Sequence, residues 1–315
     1  MRKALVVGIN DYVNSPLRGC VNDALAMAGV LGIHGDGAPN FEIKLMTSPT
    51  DTITRAILKA AIDTLFSGDP DVALLYFSGH GFINSLGGYI VTTDFKKYDE
   101  GVSMDDILKL ANQSKAKDKI IFLDCCHSGA LGSPALNGTN VAQLSEGLSV
   151  LTASRDSESA LEINGAGVFT ALVVNALQGG AADLRGHITP GSIYAYVDQA
   201  LGAWDQRPIF KTNVTRFTSL RTVPPPVTHA TLRKLTDYFA KPQDEHKLDP
   251  SYEDTYNGND QTKVAIFKDL QKFTSVGLVV PVGEEHMYFA AINSKSCRLT
   301  ALGFQYWRLV KEKRI

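Results

Sequence analysis

Two side chains in this 315-residue sequence could together cleave a carbonyl compound. His80 follows the apolar run Val72–Phe77, and Cys126 follows the apolar run Lys119–Leu123, 46 positions further on. A cysteine attacks a carbonyl as its thiolate, and a nearby imidazole can take the thiol proton at neutral pH. Alone, a cysteine is usually a small buried hydrophobe and a histidine a structural hydrogen-bonder. What singles these two out is that both stand directly after buried strands. In an open parallel sheet functional residues gather at the carboxyl ends of strands, so the pair can share one crevice. Glycines flank His80 and follow Ser128, letting backbone approach a ligand and backbone N–H groups point at a developing oxyanion.

The elements that must position the pair follow from hydrophobic pattern. Continuous apolar runs at residues 4–9, 71–77, 119–123 and 148–152, with a further strand over 42–46, predict strands covered on both faces. Helical spacing appears over 19–31, then from Ile53 to Leu65 after Thr50 and Asp51 as expected caps, and from Ser103 to about Ala111. It appears again over 168–177 and after Thr189-Pro190. Gly87-Gly88 and Tyr89–Thr92 read as a hairpin excursion, and 130–147 as a loop. Alternating strands and helices predict an α/β fold with a mostly parallel sheet covered on both faces.

Pro224-Pro225-Pro226 marks the expected boundary, giving residues 1–222 as one domain, 223–227 as a stiff linker and 228–315 as a second domain. In the second, helices are expected around Leu232–Phe239 and Val264–Phe273 and a mobile polar loop over 241–261. A β-hairpin is expected from Leu278–Val282 and Met287–Ile292, and a closing helix over 299–309. That order is similar to a small α+β winged-helix domain.

The motifs Tyr76-Phe77-Ser78-Gly79-His80-Gly81 and Asp124-Cys125-Cys126-His127-Ser128-Gly129 resemble the two catalytic motifs of metacaspases and prokaryotic caspase homologues. A base about 50 residues upstream of the nucleophile is also the spacing of the caspase signature. Leu17–Ala24, Leu151–Leu161, Gly167–Thr170 and Gly186–Thr189 extend the resemblance, which covers residues 1 to about 222. It implies a caspase-like α/β/α sandwich and hydrolysis of peptide bonds in proteins.

Matched position by position, the resemblance makes Cys126 the nucleophile, His80 the base and proton donor, and the backbone N–H groups of Gly81 and Cys126 the oxyanion hole. It puts Asp23 and Asp124, with Cys20 and Ser78, in the first specificity pocket. Two carboxylates there favour Arg or Lys before the scissile bond through charge-assisted hydrogen bonds. The motif departs from the Gln-Ala-Cys-x-Gly form of animal caspases, which argues against aspartate specificity. A protease selective for aspartate, and a non-catalytic or DNA-binding regulator retaining the fold, are the rival readings. The resemblance also suggests a role in bacterial regulated cell death or antiphage defence.

Relatives often cut themselves after the nucleophile, but His127–Ser154 contains no Lys or Arg. Lys115, Lys117, Arg185 and Arg221 are the expected exposed processing positions. Some relatives bind calcium. Asp94, Asp105 and Asp106 are the candidate ligands here, although the further family position falls near Ser133, which is not a carboxylate, and no cofactor is required by the chemistry.

Composition fits this reading. With 31 Lys+Arg against 33 Asp+Glu, the formal charge of −2 argues against a chain coated for nucleic acid. Residues 227–315 carry only a small positive excess, with Glu284-Glu285 at the expected hairpin tip, so a protein partner or protease acting through 228–315 is favoured over DNA. No run approaches a membrane span, and four cysteines without metal-type spacing fit a reducing cytoplasm.

Overall fold

The computed structural model describes residues 1–96, 99–125, 143–153, 162–163, 166–201 and 208–315, with 162, 163 and 166 described by backbone only. Within these residues the chain divides into two compact units, one comprising 1–183 and 187–223 and the other 184–186 and 224–315.

The first unit is built on β1 (Arg2–Gly8), α1 (Cys20–Gly32), β2 (Glu42–Thr47), α2 (Arg55–Phe66) and β3 (Val72–Ser78). It continues through β4 (Gly81–Asn84), β5 (Gly87–Lys96), β6 (Asp99–Ser103), α3 (Met104–Gln113), β7 (Asp118–Asp124) and β8 (Leu148–Thr152). Then come the short ladder of β9 (Glu162–Ile163) and β10 (Ala166–Gly167), α4 (Val168–Asn175), β11 (His187–Ile188), α5 (Pro190–Leu201), β12 (Ile209–Asn213) and β13 (Arg221–Thr222). The central sheet has the order β12-β8-β7-β3-β1-β2. Every neighbour pair in it is parallel except β12 with β8. This is the expected mostly parallel α/β sheet, with one antiparallel edge strand that the sequence pattern did not signal.

Strand side chains alternate between two cores because successive residues point to opposite faces. Leu5, Val7, Leu75, Phe77, Ile121 and Leu123 join α2 residues Leu58 and Ile62 and α3 residue Ile107 in one core. Val6, Leu74, Tyr76, Ile120 and Phe122 join Met27 of α1, Phe169 and Val173 of α4, and Ile193 and Val197 of α5 in the other. The result is a three-layer α/β/α sandwich.

Helix starts depend on side chains that satisfy the first amides. Ser103 accepts from Asp105 N–H at 3.2 Å, as expected from its position before α3. At α2 the expectation fails. Thr54, not Thr50 or Asp51, caps the helix by accepting from Ile57 N–H at 3.3 Å. The Asp51 carboxylate instead accepts from Thr47 N–H at 2.8 Å, closing the turn behind β2.

The second unit contains α6 (His229–Arg233), α7 (Leu235–Tyr238), β14 (Glu245–Lys247), α8 (Gln261–Ser275), β15 (Val279–Val282), α9 (Met287–Ile292), β16 (Ser296–Leu299) and α10 (Ala301–Lys311). Its three strands form an antiparallel sheet in the order β14-β16-β15 around a core of Leu232, Phe239, Phe267, Leu270, Phe273 and Cys297. Two expectations are corrected here. Met287–Ile292 is a helix, and β15 pairs instead with Ser296–Leu299. Met287, Ala290 and Ala291 are its buried residues, a helical spacing that an apolar run of six disguises as a strand. The stretch expected as a loop over 241–261 carries β14 and a 3-10 turn at Pro250–Tyr252.

Candidate active site

The carboxyl ends of β1, β3 and β7 lie side by side, with Gly8, Ser78 and Asp124 in register across the three strands. Beyond β3 the chain runs through Gly79 into His80. A side chain on Gly79 would meet the Tyr12 hydroxyl at 2.5 Å and the Phe77 ring at 2.8 Å, so glycine is required by close packing. Tyr12 fixes the turn from below. Its buried hydroxyl donates to Val91 C=O at 3.2 Å and accepts from His80 N–H at 3.0 Å. Burial, more than any neighbour, pushes the Tyr12 phenol well above its ordinary range, so it stays a neutral donor. The Tyr12 ring also packs against the half-buried imidazole of His80 at 4.6 Å between centroids. The ring is further held by Nε2, 2.7 Å from the Ser15 carbonyl oxygen.

On the other face of the sheet lies a buried acidic pair. Asp23 comes from the first turn of α1 and Asp124 from the end of β7. Asp124 accepts from Thr170 Oγ1 at 2.6 Å, and the Tyr76 hydroxyl lies 2.6 Å from the same Thr170 oxygen. Because Thr170 has one hydroxyl proton and gives it to Asp124, Tyr76 donates to Thr170 in a relay. Asp23 accepts from Ser78 Oγ at 3.2 Å and from Gly167 N–H at 3.2 Å to both carboxylate oxygens. A methyl group on Gly167 would stand 2.5 Å from Asp124 Oδ2 and 3.1 Å from Asp23 Oδ2, so the two carboxylates converge on one point. The field of the pair is felt nearby. The Tyr76 phenol is pushed well above its usual range by burial and then by the charges of Asp124 and Asp23.

Of the residues expected at the site, His80, Ser78, Asp23 and Asp124 gather at this strand-end edge, Ser78 hydrogen-bonded to Asp23. Cys20 is a buried thiol at the start of α1, its carbonyl pressed against Gly8. Gly81 opens β4 and pairs with Ile90. Cys126 lies outside the described residues, as do His127, Ser128 and Gly129. Cys125, the residue before it, is a buried thiol in the core on the His80 face.

Of the calcium candidates, Asp105 lies in the first turn of α3, where its N–H donates to Ser103 Oγ at 3.2 Å. Asp94 accepts from Thr92 Oγ1 at 2.6 Å and from Arg55 N–H at 3.0 Å, and Asp106 pairs with Lys59 at 2.7 Å. Among the described residues no group of three or more His, Cys, Asp or Glu could hold a metal ion. Among the expected processing positions, Lys115, Lys117 and Arg185 are exposed, but Arg221 is not. Its guanidinium donates to Ile33 C=O at 2.9 Å and Leu177 C=O at 2.8 Å, tying β13 to the ends of two helices. No helix among the described residues is long and apolar enough to cross a membrane.

Tyr12, Ser15, Tyr76, Gly167 and Thr170 complete the site without having been expected in it by role. Ser15 contributes only a backbone carbonyl, which no residue type announces. Gly167 and Thr170 fall in a stretch that resembled the metacaspase pattern, but nothing in their spacing points to the carboxylates.

A three-layer α/β/α sandwich on a mostly parallel sheet has the architecture of a caspase-type domain. The caspase-domain family model matches residues 1–219, and the chain belongs to that family, Peptidase C14, a family of cysteine peptidases. Among solved structures it resembles a protein of Geobacter sulfurreducens, with a TM-score of 0.52 and 18% identity, covering 71% of this chain and 100% of that one. It also resembles caspase-1 of Spodoptera frugiperda, with a TM-score of 0.51 and 13% identity, covering 70% of this chain and 90% of that one. No curated protein matches the sequence.

Proposed function

We propose that this caspase-domain protein is a cysteine endopeptidase that cuts polypeptides after Arg or Lys. Cys126 gives its thiol proton to His80 and attacks the carbonyl carbon, while backbone N–H groups of Gly81 and Cys126 stabilise the oxyanion. His80 then protonates the departing amine, and water hydrolyses the thioester. The observation that carries the specificity is the convergence of buried Asp23 and Asp124 on one point beside Gly167. Two carboxylates at one buried site are stabilised by a cation, and a guanidinium meets them with directed donors.

The second unit is read as a winged-helix-like interaction or regulatory module. Support comes from its antiparallel β14-β16-β15 sheet with α8 entering β15, α9 standing where a simple hairpin wing would otherwise run. A role in bacterial cell-death or defence signalling accords with the family.

A fluorogenic peptide ending in Arg tests the reading on the full chain. Wild type is expected to release the fluorophore, Cys126→Ala to lose at least about a thousandfold in rate, and Gly167→Ala to raise KM for Arg by crowding the carboxylates. Equal rates for wild type and Cys126→Ala would overturn the peptidase reading, and a preference for Asp over Arg would overturn the specificity.

A further inference from the structure

The cavity beside His80 is separate from the acidic pair. It has a volume of about 280 Å³ and is lined by Tyr12, Val13, Phe82, Val91 and Phe95, with the polar Asn14, Ser15 and Thr93, and His80 and Gly81, completing its wall. Phe82 and Phe95 meet edge to face at 6.1 Å between centroids. Apart from His80, no titratable side chain but the buried neutral Tyr12 lines it.

The two sites occupy opposite faces of the sheet. Tyr12, Phe77, Val91 and Cys125 belong to the core packed by α2 and α3, with Phe82 against it. Tyr76 and Phe122, and with them Asp124 and Ser78 by strand alternation, face the core packed by α1 and α4. An extended substrate crossing this edge presents one residue to each face.

We infer that the cavity receives the side chain of the substrate residue just after the scissile bond, and that this residue is apolar or aromatic. The inference rests on the proposed peptidase reading and on proton transfer by His80. When the C–N bond breaks and the C–S bond to Cys126 forms, the proton that His80 took from the thiol passes to the departing nitrogen. The residue bearing that nitrogen must therefore lie against the imidazole, and the cavity opens at the imidazole. Its walls are mostly aromatic and aliphatic, with Asn14, Ser15 and Thr93 as uncharged polar members. An ammonium entering it would lose hydration without a carboxylate to meet it, and a carboxylate would find only the His80 imidazole, whose proton is committed to the departing nitrogen. At this size it suits a single side chain rather than a larger ligand.

The test uses internally quenched peptides with Arg fixed before the cut and Leu, Phe, Ala, Asp or Lys after it, and kcat/KM measured on the full chain. Leu and Phe are expected to exceed Asp and Lys by about ten- to a hundredfold, the range one apolar side chain gives. Phe95→Ala, at a position 46% exposed, should shrink that ratio without unfolding the domain. Val13→Glu, at a position 90% exposed, should raise the Lys peptide selectively. Cleavage of every Arg peptide at one rate, unaltered by either variant, overturns the inference and leaves the peptidase reading standing. Failure to cleave any of them overturns both.

Discussion

His80 Nε2 lies 2.7 Å from the backbone carbonyl oxygen of Ser15. A carbonyl only accepts, so Nε2 carries the proton of the neutral ring and Nδ1 keeps its lone pair. The loop between β1 and α1 therefore chooses the tautomer of the residue at the end of β3, and aims the basic nitrogen away from that loop.

This relationship is measurable directly. Nitrogen chemical shifts of the neutral His80 ring are expected to show a protonated Nε2 and an unprotonated Nδ1. The reverse pattern would mean that Ser15 does not hold the ring in solution.

Tyr12 is the second support of the same histidine. Tyr12→Phe keeps the ring packed against His80 but leaves Val91 C=O and His80 N–H without the hydroxyl they share. Losing a buried partner of this kind costs about 1–3 kcal/mol. For a domain of this size that is a fall of about 2–12 °C in Tm, to be read by thermal denaturation. An unchanged Tm would show that the hydroxyl contributes nothing to holding the turn.

Cys297 in β16 makes a prediction about pH in the second unit. Burial first, then the charge of Glu245, pushes its thiol up to about 12 from an ordinary value of 9.0. The folded state thus favours the protonated thiol. Stability from this group is fully present below about pH 9, where the thiol is protonated folded or unfolded, and is lost as pH rises from there toward 12. Denaturant midpoints for the second unit should fall across that window in wild type and fall less in Cys297→Ala. Iodoacetamide at pH 8 should leave Cys297 unmodified in the native chain and modify it once urea unfolds the unit. Native labelling of Cys297 would overturn this account of its burial.

The sheet was legible because its inner strands are buried on both faces, and ALVVGI, DVALLYF and KIIFL leave no polar alternation to confuse. β12 escaped notice because an edge strand with partly exposed residues has no such run. Met287–Ile292 misled for the opposite reason, since a short apolar segment fits a strand or a one-sided helix and only Ala290 and Ala291 packing inward decides. At the site, His80 could be picked out by its position after a strand, whereas the two carboxylates were legible only through the resemblance to metacaspases, Asp23 lying in the first turn of α1. The residues that orient them could not. Thr170 reaches Asp124 across 46 positions and Tyr12 reaches His80 across 68, and contacts at that range have no local periodicity.

The alternation of side chains at the tip of β3 has a practical corollary. Residues that grip a ligand from α1 and α4 share no packing layer with those that grip it from the β4–β5 ribbon, so a library randomised on one flank should leave the other flank's preference intact. Under the proposed reading, a protease with independently tunable subsites could be bred from this scaffold one flank at a time, with thermal stability monitored separately for each core.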